Sequence, residues 1–358
     1  MISKKVKDIY NNFFEGLETS CANFMSNIIE CKYLRRYINK EKFLTEEQKK
    51  EVKAYWKKYK RISTKWCQYY SAQNGVFDAR YIPNTLYYTK IDQHFNNRKL
   101  GWGFNDKNYY SKIFSGIKQP IVIARMINGT LLDDEYNIIS AKQALELIEK
   151  EKEVICKPSQ ETGSGRDICF WNIEKDAEDI KAFLNNKRGD YIIQKVLQQH
   201  TELNRVHEGS VNTIRIASLL LDGEVHILSS TLRMGTGNSR VDNVTAGGIS
   251  CGILPDGTLK KYAHAYYTGE SFQKHPQGLV FEGFKVPGYN NAIELVKKAA
   301  VIIPHFRLVS WDIAIDENEE AVFIEANMRK GGINLHQFDN GPLFGELTDK
   351  VLEEVFNK

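Results

Sequence analysis

Three turn signals set between alternating strands constrain this chain more than any other feature. Asp222-Gly223 separates Val211–Leu221 from a second strand beginning at Glu224, Asp256-Gly257 separates another pair, and the acidic loop Glu317–Glu320 a third. Strands joined by such short turns pair antiparallel, because a parallel connection needs a crossover of a dozen residues or more. Further strands are expected at Ile121–Ile123, Val154–Cys156, Ile168–Ile173 and Tyr191–Leu197, with helices near 140–152, 292–301 and 346–356. Hairpins with helices between them predict an α+β fold and exclude a doubly wound parallel sheet. Ahead of the strands, residues 5–75 read as helices. Ile9, Phe13 and Leu17, then Ile28, Ile29, Tyr33, Leu34 and Tyr37, recur at helical spacing, and Thr45-Glu-Glu-Gln48 has the form of a capping box. Residues 76–110 read as aromatic and irregular, with turns at Pro83 and Gly101-Trp-Gly103.

Charge divides the chain in the same place. Residues 1–110 hold 21 Lys and Arg against 11 Asp and Glu, while the rest holds 28 against 34. The front also carries 22 of the 41 aromatic residues, so a basic, aromatic module precedes a mildly acidic body. Such a front suits an anionic partner or forms a solvated helical face over an aromatic core. No apolar run is long enough to span a bilayer, and Met1–Tyr10 is too rich in lysine for a signal peptide. The six cysteines show neither C-x-x-C nor zinc spacing, which predicts buried free thiols in a reducing cytoplasm. The eight histidines form no ligand cluster, so a metal would be held by oxygen, which favours Mg²⁺ over zinc.

Four stretches can carry chemistry. Lys157 ends a strand and is followed by a polar loop holding Gly163, Ser164 and Gly165. Backbone N–H groups of such a loop can approach phosphate oxygens while the lysine supplies a point charge; a plain surface turn has the same residues. In the last hairpin, pairing Asp316 with Ala321 sets Ala314 opposite Phe323 and Asp312 opposite Glu325, with Asn327 on the same face as Glu325. Facing carboxylates repel unless a cation lies between them, and two carboxylates with an amide suit Mg²⁺. In the first hairpin, Leu221 opposite Glu224 sets Arg215 opposite Ser230, and Arg233 on the other face unless a bulge intervenes. Arg215 then suits a phosphoryl group or a carboxylate. Fourth, Asp242–Gly248 is a turn-rich loop in which Asn243 can hydrogen-bond a substrate, and Gln194–Leu197 ends a strand with one polar and one apolar edge.

Taken in order, Lys157 with its glycine loop, Gln194–Leu197, Asn212-Thr-Ile-Arg215, Asp242-Asn243 with Gly247-Gly248, Pro287-Gly-Tyr289, Trp311-Asp312 and Ile324-Glu-Ala-Asn327 resemble the ATP-grasp superfamily. Within it they look most like the sugar-transfer-associated family of bacterial surface-polysaccharide gene sets. The resemblance covers about residues 105–345. It implies an α+β ATP-grasp fold in which two subdomains sandwich ATP: a lid subdomain over 105–200, and a metal-binding and substrate subdomain over 201–358. The helical module of 1–104 lies outside the resemblance.

Site roles follow from the resemblance residue by residue. Lys157 and the Gly163-Ser164-Gly165 lid would hold the ATP phosphates, and Gln194, Lys195, Val196 and Leu197 would read adenine. Glu202 stands in for the ribose carboxylate. Lys107 and Lys118 compete for an earlier ATP-contacting lysine, with Lys118 slightly favoured. Asp312, Glu325 and Asn327 would hold Mg²⁺, while Arg215, with Lys157 and Asn243, would serve the reacting groups. The implied chemistry is ligation, in which a carboxylate takes the γ-phosphoryl group and an amine captures the acyl phosphate. The expected substrates are a sugar acid such as a hexuronate and an amino compound. A nucleotide-sugar or lipid-linked glycan is the candidate acceptor for the basic front, and nucleic acid is not expected. The expected location is cytoplasmic, including a peripheral position at the inner membrane surface. A phosphotransferase acting on a sugar hydroxyl and a non-catalytic nucleotide-binding partner are the alternatives.

Overall fold

The computed structural model describes residues 43–160, 167–186, 189–266, 270–329 and 331–356. The helical pattern expected over Ile9–Tyr37 lies outside the described residues. The chain divides into two compact units, Met1–Asn96 with Gly332–Lys358, and Asn97–Gly331.

The described part of the first unit is helical. Helix α1 (Glu46–Lys57) begins on the expected capping box, in which Gln48 N donates to Thr45 Oγ1 and Thr45 N donates to Gln48 Oε1. Its Val52 and Trp56 face inward, and Trp56 Nε1 donates to the Ala79 carbonyl. Helix α2 (Lys65–Asn74) ends on Gly75 at φ +74°, a left-handed position that glycine takes without strain. Beyond it, the stretch that reads as irregular holds short helical turns at Asn84–Leu86, Tyr87–Ile91 and Asp92–Phe95. They run on without a break over 84–95, and the π turn at Tyr87–Ile91 shifts the helical period midway.

Among the described residues, the strands all lie in the second unit. Strands β1 (Val122–Ile127), β2 (Thr130–Leu132), β3 (Glu153–Pro158), β4 (Cys169–Asn172) and β5 (Tyr191–Lys195) form one antiparallel sheet in the order β2-β1-β5-β3-β4. The β1–β2 hairpin escapes the sequence reading although Asn128-Gly129, both at positive φ, is a favoured turn pair. Helices α3 (Ala141–Ile148) and α4 (Ala177–Asn186) bury Ala144, Ile148, Ile180 and Leu184 in the cluster under this sheet. The cysteines of this sheet differ: Cys156 is buried, whereas Cys169 on edge strand β4 is exposed.

The second sheet has seven antiparallel strands: β6 (Ile214–Leu221), β7 (Glu224–Met234), β8 (Ile249–Ile253), β9 (Leu259–Ala265), β10 (Ser271–Phe272), β11 (Leu308–Ile315) and β12 (Ala321–Asn327), ordered β10-β9-β8-β7-β6-β11-β12. Its apolar face carries Ile214, Ile216, Leu232, Trp311, Ile313 and Phe323, packed with Ala292, Val296 and Ala299 of helix α5 (Tyr289–Ala300). Because side chains alternate, the residues between these positions all point to the other face. That face is polar.

Two bulges set its register. Between β6 and β7 the ladder shifts at Ala217/Ser218, leaving Leu228 unpaired and setting Arg215 opposite Thr231 rather than Ser230. Between β11 and β12 the hairpin starts one residue tighter than expected, with Ile315 opposite Ala321 and Ile313, not Ala314, opposite Phe323. A second bulge at Ile324 removes that offset and restores Asp312 opposite Glu325. Asp312 also pairs with Arg215 across β11 and β6. Thr231, Arg215, Asp312 and Glu325 therefore form one lateral row on the polar face.

Two helices of the first unit complete the chain, α6 (Asn334–Asn340) and α7 (Thr348–Phe356). The Gln337 side chain is fully buried and bonds both Ile82 N and Ile82 O. Asp349 accepts from Tyr55, Lys58 and Tyr59 of the α1 region. No helix among the described residues is long and apolar enough to cross a membrane.

Candidate active site

The row becomes a charge network through its side chains. Arg215 grips Asp312 with two parallel bonds, Nε to Oδ1 at 2.7 Å and Nη2 to Oδ2 at 2.8 Å. The bulge at Leu228 brings Arg233 onto the same face, answering the question of parity that the sequence left open. Arg233 Nη2 lies 3.2 Å from Asp312 Oδ2 and 3.3 Å from Asp242 Oδ2, and it donates to Thr213 Oγ1 at 2.7 Å. Asp242 in turn accepts from both the N–H and the hydroxyl of Thr213. Burial opposes ionisation of Asp312, but the two guanidinium groups win and hold its carboxyl at about 2. Burial likewise opposes the charge on Arg215, and Asp312, Glu325 and Asp242 keep it protonated well above its ordinary range.

At the β12 edge of the row, Lys107 Nζ donates to Glu325 Oε1 at 2.8 Å. Lys107 stands in a short turn, Lys107–Tyr109, entered through Asp106, whose carboxylate caps Asn108 N. Its backbone N–H donates to the Ser159 carbonyl, just past the end of β3, at 2.8 Å. Lys157, at the end of β3, is close enough to both charges to feel them. Burial and the neighbouring Lys107 push its ammonium down to about 8, against the opposing pull of Glu325. Two ammonium groups thus feel one carboxylate, to which Lys107 is bonded, an arrangement that a bound anion would relieve.

The remaining expected site residues separate into three groups. Gln194 is buried on β5 with Oε1 lacking any partner, so a donor is called for there. Lys195 instead pairs with Glu151 at the surface, Val196 and Leu197 lie half-buried past the strand end, and Glu202 pairs with Arg205. Asn243 spends its amide oxygen on Thr245 N and Thr245 Oγ1, capping a short turn. The glycine that follows is also used internally: a Cβ on Gly248 would meet the Asp242 and Met234 carbonyls at 2.7 and 2.8 Å. Gly163, Ser164 and Gly165 lie outside the described residues.

Lys118 is not brought to the row. It pairs with Asp316 and Glu320 at the turn of the last hairpin, four residues along β11 from Asp312, or about 13 Å. The lysine that meets Glu325 and Lys157 is Lys107. Sequence separation hid this, since Lys107 and Glu325 are 218 positions apart.

A hard cation can be tested against the donors present. Among the described residues no three His, Cys, Asp or Glu side chains converge as a metal site, so the expected set of Asp312, Glu325 and Asn327 offers two carboxylates and an amide. Asn327 Nδ2 donates to the Ser310 carbonyl at 3.0 Å. That orientation leaves Oδ1 for a cation. A carboxylate has about four acceptor sites, and the arginines use three on Asp312, leaving one. All donors are oxygen, and the set fits Mg²⁺.

The family model for sugar-transfer associated ATP-grasp proteins matches residues 87–352. The chain belongs to this family. Its two sheets are those of an ATP-grasp fold, carrying Lys157 on one and the Arg215–Asp312–Glu325 row on the other. Solved structures similar to this ATP-grasp protein include the ligase PsnB in complex with a minimal precursor, at 11% identity and TM-score 0.42 over 73% of this chain. Biotin carboxylase from Campylobacter jejuni matches at 16% identity and TM-score 0.44 over 70%, and D-alanyl-alanine synthetase A from Vibrio cholerae at 10% and 0.41 over 71%. The chain spans 64%, 46% and 66% of their respective lengths, less than two thirds in each case. No curated protein sequence matches it significantly.

Proposed function

We propose that this protein is an ATP- and Mg²⁺-dependent carboxylate–amine ligase that forms an amide on a sugar acid, with a hexuronate the leading substrate, in surface-polysaccharide biosynthesis. The observation that carries the reading is Lys107, bonded to Glu325 on one side and through its N–H to Ser159, two residues past Lys157, on the other. The surplus positive charge of the two lysines suits the phosphates of ATP, and Lys107, rather than Lys118, takes the role of the earlier ATP-contacting lysine. Asp312, Glu325 and Asn327 would hold Mg²⁺, which when bound neutralises phosphate charge. Arg215 and Arg233 present guanidinium groups beside that position, where negative charge gathers as the γ-phosphoryl group moves to the substrate carboxylate. The acyl phosphate is then attacked by the amine, giving amide, ADP and phosphate. The glycine loop over Gly163–Gly165 serves as the lid that excludes water, with 105–200 as the lid subdomain, 201–358 as the metal and substrate subdomain, and 1–104 facing the acceptor in the cytoplasm.

The test supplies ATP, Mg²⁺, hydroxylamine and a panel of sugar acids, and measures hydroxamate and ADP. One acid should support hydroxamate formation with equimolar ADP. ATP turnover that never depends on a carboxylate would refute the ligase. A stable phosphorylated sugar without free phosphate would identify a phosphotransferase instead.

A further inference from the structure

Behind Lys107 lies a buried arginine that no catalytic step uses. Arg125 is on β1, 1% exposed, in a strand that is otherwise apolar. Among the described residues it forms no ion pair, although Asp133 and Asp134 lie near enough to act on its charge. Its Nε donates to the Asn108 carbonyl at 3.1 Å, its Nη1 to the Asp133 and Asp134 carbonyls at 2.7 and 2.9 Å, and its Nη2 to Ser111 Oγ at 2.9 Å. Burying a guanidinium against neutral acceptors alone is costly, and burial here lowers its affinity for the proton. Methionine or leucine would fill the same space without that cost, so the charge has another use.

One of these bonds falls on the turn that carries Lys107, at the Asn108 carbonyl, and a second on Ser111 just past it, while the other two hold the Asp133–Asp134 loop. Tyr136 Oη lies 2.8 Å from Ser111 Oγ and donates to the Asn108 carbonyl at 2.6 Å. The hydroxyls can then run in one direction: Arg125 to Ser111, Ser111 to Tyr136, Tyr136 to Asn108, closing on the carbonyl that Arg125 Nε also holds. Such a closed chain polarises along its length and fixes its members together. The Tyr136 ring packs under both the Arg125 guanidinium at 4.1 Å and the Lys112 ammonium at 3.8 Å. Tyr136 sits at φ +67°, a conformation a tyrosine rarely takes, and the Asp133 carboxylate shapes the loop by accepting from Glu135 N and Asn137 N.

We infer that Arg125, with Tyr136, is a positioning residue for Lys107: the ring of bonds clamps the Asn108 carbonyl, so that the preceding lysine meets a nucleotide phosphate without having to be ordered first. This rests on the reading of Lys107 as a phosphate contact. The Lys107 N–H to Ser159 bond completes the hold on the turn.

The experiment is a double-mutant cycle on the full chain, with ATP affinity measured calorimetrically in Mg²⁺ and folding followed by thermal melting. Arg125→Met should weaken ATP binding about tenfold in the parent and less than twofold in a Lys107→Met background. Arg125→Lys, which keeps the charge but loses the fork, should lose about as much as Arg125→Met. Tyr136→Phe removes two bonds while keeping the ring, and should show the same coupling at about threefold; it carries the cycle if Arg125→Met does not fold. Equal losses in both backgrounds, or no loss at all, overturn the inference. If Lys107→Met itself leaves ATP affinity unchanged, the fault lies in the reading of Lys107, and the inference falls with it.

Discussion

The two sheets of the second unit treat charge in opposite ways. On the seven-stranded sheet each charged group of the row has a partner at hydrogen-bond distance: Arg215 on Asp312, Arg233 on Asp312 and Asp242, Lys107 on Glu325. On the five-stranded sheet, Lys157 is held beside another lysine and sits near 8. A network whose charges cancel is a scaffold, and its loss is felt as instability. A cation left in deficit is a binding device, and its loss is felt by the ligand. The same type of substitution should therefore have different consequences on the two sheets.

The largest effect is expected from Asp312→Asn. It takes from the buried Arg215 guanidinium the carboxylate it grips and leaves Arg233 only Asp242, and breaking a buried pair from one side costs about 3–5 kcal/mol. Denaturant unfolding should show that loss together with loss of activity; unchanged stability would break the contrast. Lys157→Met should do the reverse, weakening ATP affinity by about a hundredfold while leaving stability equal or slightly raised, because it removes a repelled charge. The sign with pH follows. Lys157 is protonated below about 8 and loses its proton as pH rises through that value, so ATP affinity should fall above pH 8. Lys157→Arg should abolish that fall. The smallest effect belongs to Lys118→Ala, which removes a half-exposed ion pair worth about 0–1 kcal/mol and should leave ATP affinity within twofold of the parent.

Much of this arrangement is legible from residue order, and the part that is not has a definite cause. Lys157, Asp312, Glu325 and Asn327 stand at strand positions that alternation identifies, and Asp312 opposite Glu325 follows from counting residues. The count reaches the right pair through a wrong register, because the tighter turn at Ile315 and the bulge at Ile324 cancel. Arg233 could not be assigned a face, since nothing in Ile227–Ser230 announces that Leu228 will be left out of the ladder. The choice between Lys107 and Lys118 depends on contacts some 200 positions away in both cases, with Glu325 and with Asp316 and Glu320. Arg125 was open to notice, as a lone charge in an apolar strand, but its four acceptors are backbone carbonyls and a hydroxyl that no motif marks.

The bulges also make the site a question of odd and even numbers. Leu228 and Ile324 are each a single residue left out of the ladder, and everything beyond them keeps its face only because they are left out. Draw one into the pairing, and the residues past it exchange faces: either Arg233 turns into the oily side or Glu325 leaves its row. Deleting Leu228 or Ile324 itself would leave the other pairs in place, whereas deleting one paired residue between bulge and site would not. The chemistry of this protein is stored partly in its residue types, and partly in a parity that composition does not record.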